Sequence, residues 1–115
     1  LGHLLEMTKG SEASAEINFD SISFIQGSKE LAYDGIVPGG TKRNLDFVMD
    51  SVSFSKSIDQ TQRYMLADAQ TSGGLLISVP EEKFEELNSK LIDSGCHSLK
   101  VGKIREYNGN YIEVL

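Results

Sequence analysis

Two glycine-rich segments carry the residue types that hold anions. The first is Pro38-Gly39-Gly40-Thr41-Lys42-Arg43-Asn44. Its paired glycines let backbone N–H groups turn inward and approach a ligand closely. Such N–H concavities bind anions, above all where they open a helix. Thr41 adds a hydroxyl, and Arg43 a guanidinium whose fork matches a phosphate. Lys42 adds a second positive charge, and Asn44 offers both a donor and an acceptor. The second segment is Asp68-Ala69-Gln70-Thr71-Ser72-Gly73-Gly74, which runs straight into an apolar stretch. The hydroxyls of Thr71 and Ser72 and the backbone of Gly73 and Gly74 suit a phosphate or a neighbouring domain's loop. This is not a Walker A loop, because GxxxxGK[ST] is absent and a strand pattern, not a helix, follows. A second reading fits both segments: tight turns, with Thr41 as a helix cap, solvated Lys42 and Arg43, and glycines that only admit the chain to a sheet.

Other chemistry is sparse. Asp68 reads as a Mg²⁺ ligand or as an ordinary surface carboxylate. His3 and His97 are the only histidines. They stand in no HExxH or Cys/His cluster, so they read as structural or solvated and give no zinc site. Cys96 is the single cysteine. It has no partner for a disulfide or a CxxC motif and reads as a small, half-buried apolar residue in a reducing compartment. No Ser/His/Asp or Cys/His arrangement follows from the spacing, so no catalytic residue is assigned.

Composition bounds the rest. The chain has 115 residues, 11 Lys and Arg against 17 Asp and Glu, and a net charge of −6. That length suits one domain. The acidic balance argues against broad binding to nucleic acid, which rests on phosphate neutralisation. It leaves room for a small phosphorylated ligand held by local groups such as Lys42 and Arg43. No run approaches the roughly 18 apolar residues of a membrane span, and Leu1 to Leu5 has no signal-peptide pattern. A cytoplasmic location is the expectation.

The elements that must position the two glycine segments follow from periodicity. Leu1, Leu4 and Leu5 lie at helical spacing, with Gly10 as the stop. No capping residue precedes them, so the helix reads as cut and the chain as a piece of a longer protein. Ala13 to Asp20 alternates as a half-buried strand. Ser28 to Ala32 forms a short helix ended by Gly35. Ile36 to Thr41 is a loop, Asn44 to Asp50 one or two helical turns, and Val52 to Phe54 a short strand. Asp59 to Leu66 fits more than one state. Leu75 to Val79 is a continuous apolar run and reads as a strand buried on both faces. Pro80 to Gly95 is the clearest helix. Its acidic first turn suits the dipole, and Phe84, Leu87 and Leu91 form an apolar stripe. Ser98 to Tyr107 and Tyr111 to Val114 flank Asn108-Gly109, a type I′ hairpin signal. The alternation predicts a layered α+β (α/β) domain with a mixed β-sheet and helices.

Three motifs in order then resemble a known family. Leu1-Gly2-His3-Leu4-Leu5-Glu6-Met7, Val37-Pro38-Gly39-Gly40-Thr41-Lys42-Arg43-Asn44 and Gln70-Thr71-Ser72-Gly73-Gly74-Leu75-Leu76 resemble selenophosphate synthetase (selenide, water dikinase) in its C-terminal domain, of the AIR-synthase-related type. Val101-Gly102-Lys103-Ile104 resembles that domain's closing segment. The likeness covers essentially the whole chain. It departs from the family at Ala69, where Pro is common, and over Val48 to Arg63, which matches no family motif.

The resemblance implies a three-layer C-terminal domain over residues 1–115, packed behind an N-terminal ATP-binding domain of the same protein and usually in a homodimer. It implies a full-length enzyme that uses ATP, Mg²⁺, selenide and water to make selenophosphate, AMP and phosphate. Its catalytic Cys or selenocysteine, essential Lys and metal-binding aspartates are implied to lie outside this chain, so the fragment alone is expected to be inactive and to bind no cofactor. Gly39, Gly40, Thr41, Arg43, Asn44, Thr71, Ser72, Gly73 and Gly74 are then the candidate residues facing nucleotide phosphates or the partner domain. Two alternatives stand beside this: a non-catalytic binding or dimerisation module, and another AIR-synthase-related enzyme with a different substrate.

Overall fold

The computed structural model describes residues 1–115. Five helices and four strands follow in the order α1 Gly2–Gly10, β1 Ala13–Ile17, α2 Ser28–Tyr33, α3 Gly39–Val48, β2 Val52–Phe54, α4 Gln60–Leu66, α5 Phe84–Asp93, β3 Gly102–Glu106 and β4 Ile112–Val114. The strands form one mixed sheet in the order β2-β4-β1-β3. β1 runs antiparallel to β3, with Ala15 opposite Ile104, and parallel to β4, with Ala15 opposite Ile112. β4 in turn pairs in parallel with β2, Val52 opposite Ile112. The expected α+β class with a mixed sheet is the one found.

Alternation sets the core. Ala15 and Ile17 on β1, Ile112 and Val114 on β4, and Val52 on β2 are buried, and Leu4 and Leu5 of α1 and Leu45 and Val48 of α3 close over them. Spacings of i, i+3 and i+4 put Thr41, Leu45 and Val48 on one stripe of α3, and all three are buried. Thr8 sits inside α1 at 1% exposure. Its hydroxyl donates to the carbonyls of Leu4 and Leu5, so no polar atom is stranded there.

Several sequence expectations are corrected. β1 ends at Ile17, because Phe19 to Ser21 turns into a short 3₁₀ helix whose start is capped by the Asn18 side chain. The loop expected over residues 36–41 gives way to α3 at Gly39. Pro38 is its N-cap, and the helix includes both glycines. Asp59 to Leu66 resolves as α4, since Asp59 and Gln62 form a reciprocal capping box. α1 does end at Gly10, and the left-handed residue that follows it is Glu12, at φ +50°. Cys96 is exposed rather than half-buried.

Two corrections concern topology. β3 and β4 do not form a hairpin, because β1 lies between them. Asn108 serves a different role from a turn residue: its backbone N–H donates to Ser14 Oγ at 3.1 Å, and Ser14 Oγ donates to the Asn110 carbonyl at 2.5 Å. The Asn108-Gly109 segment is thereby stitched to β1. The second concerns Leu75 to Val79, which is not a strand. Its backbone makes no hydrogen bond within the chain, and Leu75 is 91% exposed. Both edges of β1 and of β4 are already filled, and the run instead forms one wall of an open groove of about 730 Å³. Ala15, Ile17 and Ile104 line the facing wall, with the α5 stripe of Phe84, Leu87 and Leu91 alongside. An apolar run signals an apolar surrounding; it does not specify ladder pairing.

Candidate functional site

The α3 start and the loop after α4 meet in space. The first acceptor of α3 is the carbonyl of its N-cap Pro38, which takes the Lys42 N–H at 3.4 Å, so the N–H groups of Gly39, Gly40 and Thr41 have no acceptor in the chain. They form the positive end of a ten-residue helix. Arg43 curls back over that first turn: a Cβ placed on Gly39 would lie 3.5 Å from its Nη1, and one on Gly40 would lie 4.0 Å from its Nη2. The guanidinium makes no hydrogen bond or ion pair and is exposed. Lys42 turns the other way, its Nζ 6.0 Å from the centre of the Tyr64 ring. The free positive charge at the helix start therefore comes from Arg43.

Thr41 and Asn44 face inward to the second segment. Thr41 is 1% exposed, and its hydroxyl donates to Asp68 Oδ1 at 2.5 Å. Asn44 Nδ2 donates to the Ala67 carbonyl at 3.1 Å. Asp68 Oδ2 accepts from Gln70 Nε2 at 3.1 Å. Gln70 in turn lies against Gly73, where an added Cβ would stand 2.9 Å from Gln70 Cβ. The loop doubles back tightly there, and Gly73 leaves the space that lets it do so. Thr71, Ser72, Gly73 and Gly74 are all exposed and make no hydrogen bond within the chain.

So the two segments the sequence singled out separately are one structure. Gly39, Gly40 and Arg43 present outward groups from α3; Thr71 to Gly74 present them from the loop; Thr41, Asn44 and Asp68 tie the two together. The role of Asp68 was missed as a link and weighed only as a metal ligand or surface residue. The Asp-x-Gln spacing was its one sequence signal, since a side chain two residues on can bond back to the carboxylate.

Chemically, the arrangement offers free N–H groups, a guanidinium and two hydroxyls, all suited to an anion. It offers no metal centre: no group of three or more His, Cys, Asp or Glu is placed to hold an ion. Asp68 is the one carboxylate of the cluster, and each of its oxygens accepts a hydrogen bond from a neighbouring side chain. Elsewhere, His97 Nε2 lies 2.9 Å from Ser23 Oγ, and His3 lies 3.3 Å from Glu6. Both are exposed pairs with no third partner. The carboxyl of Asp59 is held below the ordinary aspartate range, chiefly by the Gln62 backbone N–H and further by the Tyr33 hydroxyl. The same contact pushes the Tyr33 phenol up. These shifts belong to the α4 cap and do not reach the candidate site. No helix is long and apolar enough to cross a membrane.

No protein-family model matches the chain. Curated relatives do. The chain is 41% identical over 116 residues to the selenide, water dikinase of Clostridioides difficile (strain 630), covering 100% of this chain and 33% of that protein. It is 40% identical over 105 residues to the selenide, water dikinase of Myxococcus xanthus (strain DK1622), covering 91% and 30%. Identity to the selenide, water dikinase of Aeromonas hydrophila subsp. hydrophila is 37% over 115 residues, covering 99% and 32%. The chain spans about a third of the length of the curated relatives it matches, and it matches a C-terminal part of them. The family resemblance of the three motifs is therefore borne out along the chain, which belongs, as a counterpart of the C-terminal domain, to the selenide, water dikinase (selenophosphate synthetase) family.

Proposed function

We propose that this chain is the C-terminal domain of an enzyme that converts ATP, selenide and water to selenophosphate, AMP and phosphate. The observation that carries the reading is the end-to-end similarity to selenide, water dikinases three times as long. The geometry supports a specific share for this domain. Gly39, Gly40 and Arg43, with Thr71, Ser72, Gly73 and Gly74, face nucleotide phosphates or the partner domain; Thr41 and Asn44 hold that surface in place. Phosphoryl transfer depends on positioning as well as on charge stabilisation, and free N–H groups and a guanidinium suit the first of these, holding the phosphates in place. The nucleophile, the essential Lys and the Mg²⁺ ligands belong to the N-terminal ATP-binding domain of the same protein. The full-length enzyme is cytoplasmic, homodimeric and Mg²⁺-dependent on this reading.

The test is the full-length protein with ATP, Mg²⁺ and selenide, followed by ³¹P NMR. Selenophosphate and AMP are expected from the full-length protein and neither from residues 1–115 alone. Turnover by the isolated chain would overturn this division of labour. AMP or ADP formation that depends on a different acceptor would instead assign a related enzyme, and no turnover at all a binding or dimerisation module.

A further inference from the structure

We infer that Asp68 is a positioning residue: it locks the α3 start and the Gln70–Gly74 loop into one phosphate-facing surface. The inference rests on the function proposed above and goes beyond it by naming the group on which the surface depends. Asp68 itself touches no ligand in this reading. Its two oxygens are divided between the two segments, Oδ1 accepting from Thr41 at 2.5 Å and Oδ2 from Gln70 at 3.1 Å. Thr41 is 1% exposed and fixed on the buried stripe of α3 beside Leu45 and Val48, so one side of the link is anchored in the core. On the other side Gln70 is pressed against Gly73. A continuous chain of contacts therefore runs from the core through Thr41, Asp68 and Gln70 to Gly73. Thr71 to Gly74 make no hydrogen bond to the chain, so the Gln70–Gly73 packing is what ties them to it. Without Asp68 the loop keeps its sequence and loses its reference point.

The chemistry separates this role from a charge effect. Asn at position 68 still accepts from Thr41 through its carbonyl, and its amide donates to Gln70 once the Gln70 amide turns over. Ala at 68 makes neither bond. Val at 41 removes the hydroxyl, whereas Ser keeps it. Because the surface would hold phosphates alike in ground and transition states, its loss belongs in KM for ATP rather than in kcat.

The experiment uses the full-length protein, with AMP formation from ATP and selenide as the activity and thermal unfolding measured in parallel. Asp68→Ala and Thr41→Val are each expected to raise KM for ATP by about ten-fold or more, the scale of one charge-assisted hydrogen bond. Their kcat values should stay within about three-fold of wild type. Asp68→Asn and Thr41→Ser are expected to restore KM to within about three-fold, and the Asp68→Ala/Thr41→Val double variant to be no worse than Asp68→Ala alone. Variants that lose thermal stability while KM stays within two-fold would overturn the inference, as would strictly additive effects, and both results leave the proposed function standing. A wild type that makes no AMP from ATP with selenide would overturn the proposed function and this inference together.

Discussion

Gly102→Ala tests the register on which the whole sheet depends. Gly102 opens β3 and faces Ile17 across the antiparallel pair. A Cβ built there falls 2.0 Å from the Glu16 carbonyl oxygen, 2.9 Å from Ile17 Cδ1 and 3.0 Å from the Glu16 carbonyl carbon. Two of these neighbours are backbone, so no rotamer change relieves the clash. To reach an ordinary contact of about 3.4 Å, the strands must part by about 1.4 Å at this end, against a normal spacing of about 4.8 Å. The hydrogen bond from Asn18 N to the Val101 carbonyl, 3.0 Å long, lies at the same end and is lost or stretched. One or two ladder bonds at about 1 kcal/mol each, with the strain of forcing a methyl into filled space at about 1–3 kcal/mol, give a cost of about 2–5 kcal/mol. At about 4 °C per kcal/mol for a chain of this size, the melting midpoint falls by about 8–20 °C. Gly2→Ala is the control. Nothing lies within 4 Å of its Cβ position, and the residue opens α1, so the change should be within about 1 kcal/mol and in the stabilising direction. Thermal and urea unfolding followed by circular dichroism read both. A Gly102→Ala chain that melts within about 3 °C of the parent would refute the β1–β3 register.

Three further substitutions probe separate parts of the fold. Ile112→Ala empties the centre of the sheet, where the side chain is 0% exposed between Ala15 and Val52; urea unfolding should show a loss of about 2–5 kcal/mol. Asp59→Ala removes the capping box of α4 and should cost about 0.5–2 kcal/mol at neutral pH. The Asp59 carboxyl is depressed in the folded chain by the Gln62 N–H. Its contribution is therefore full above the ordinary aspartate value and is lost as pH falls through the lower folded one. The wild-type advantage over Asp59→Ala should narrow below about pH 4 in acid titrations of stability. Glu12→Gly relieves a non-glycine residue at φ +50° and should raise stability by about 0.5–1 kcal/mol, net of the extra freedom of the unfolded chain; an unchanged or lower midpoint counts against that backbone conformation.

The parts of the fold written in local chemistry were legible. The stops of α2 and α5 at Gly35 and Gly95, both at positive φ, and the alternation of β1 depend on residues a few positions apart and stand close to where the sequence puts them, although α5 starts at Phe84, after a 3₁₀ turn, rather than at Pro80. What failed depended on the partner across space. Asn108-Gly109 carries the composition of a hairpin turn. Ser14 claims the Asn108 backbone, however, and β1 takes the place between the two strands. Leu75 to Val79 has the composition of a central strand, but the central positions were already filled by β1 and β4. Gly39 and Gly40 read as a loop because glycine is the poorest helix former short of proline. At a first turn that cost is small: the N–H groups there have no intrahelical acceptor in any case, and the Thr41-Leu45-Val48 stripe holds the helix from its buried side.

The candidate site divides in the same way, and the division explains why family likeness reached further than residue chemistry. Spacing identified both glycine segments as anion-competent but left plain turns open, because nothing in either segment names the other. The link between them runs through Thr41 and Asp68, 27 positions apart, a contact with no local signature beyond Gln70. That contact changes the meaning of the residues around it. A threonine that reads as a ligand-binding hydroxyl is buried at 1% exposure and spent on a carboxylate. A carboxylate that reads as a metal ligand accepts from both segments and links them. The groups left facing outward are those with no partner in the chain: the N–H groups of Gly39 and Gly40, the Arg43 guanidinium, and the Thr71 to Gly74 backbone and hydroxyls. Most are donors or cationic, the Thr71 to Gly74 carbonyls being the exception, on a chain of net charge −6. Since charge interactions are screened over about 10 Å at ordinary ionic strength, these near groups, more than the acidic total, govern whether the surface can meet the phosphates proposed for it.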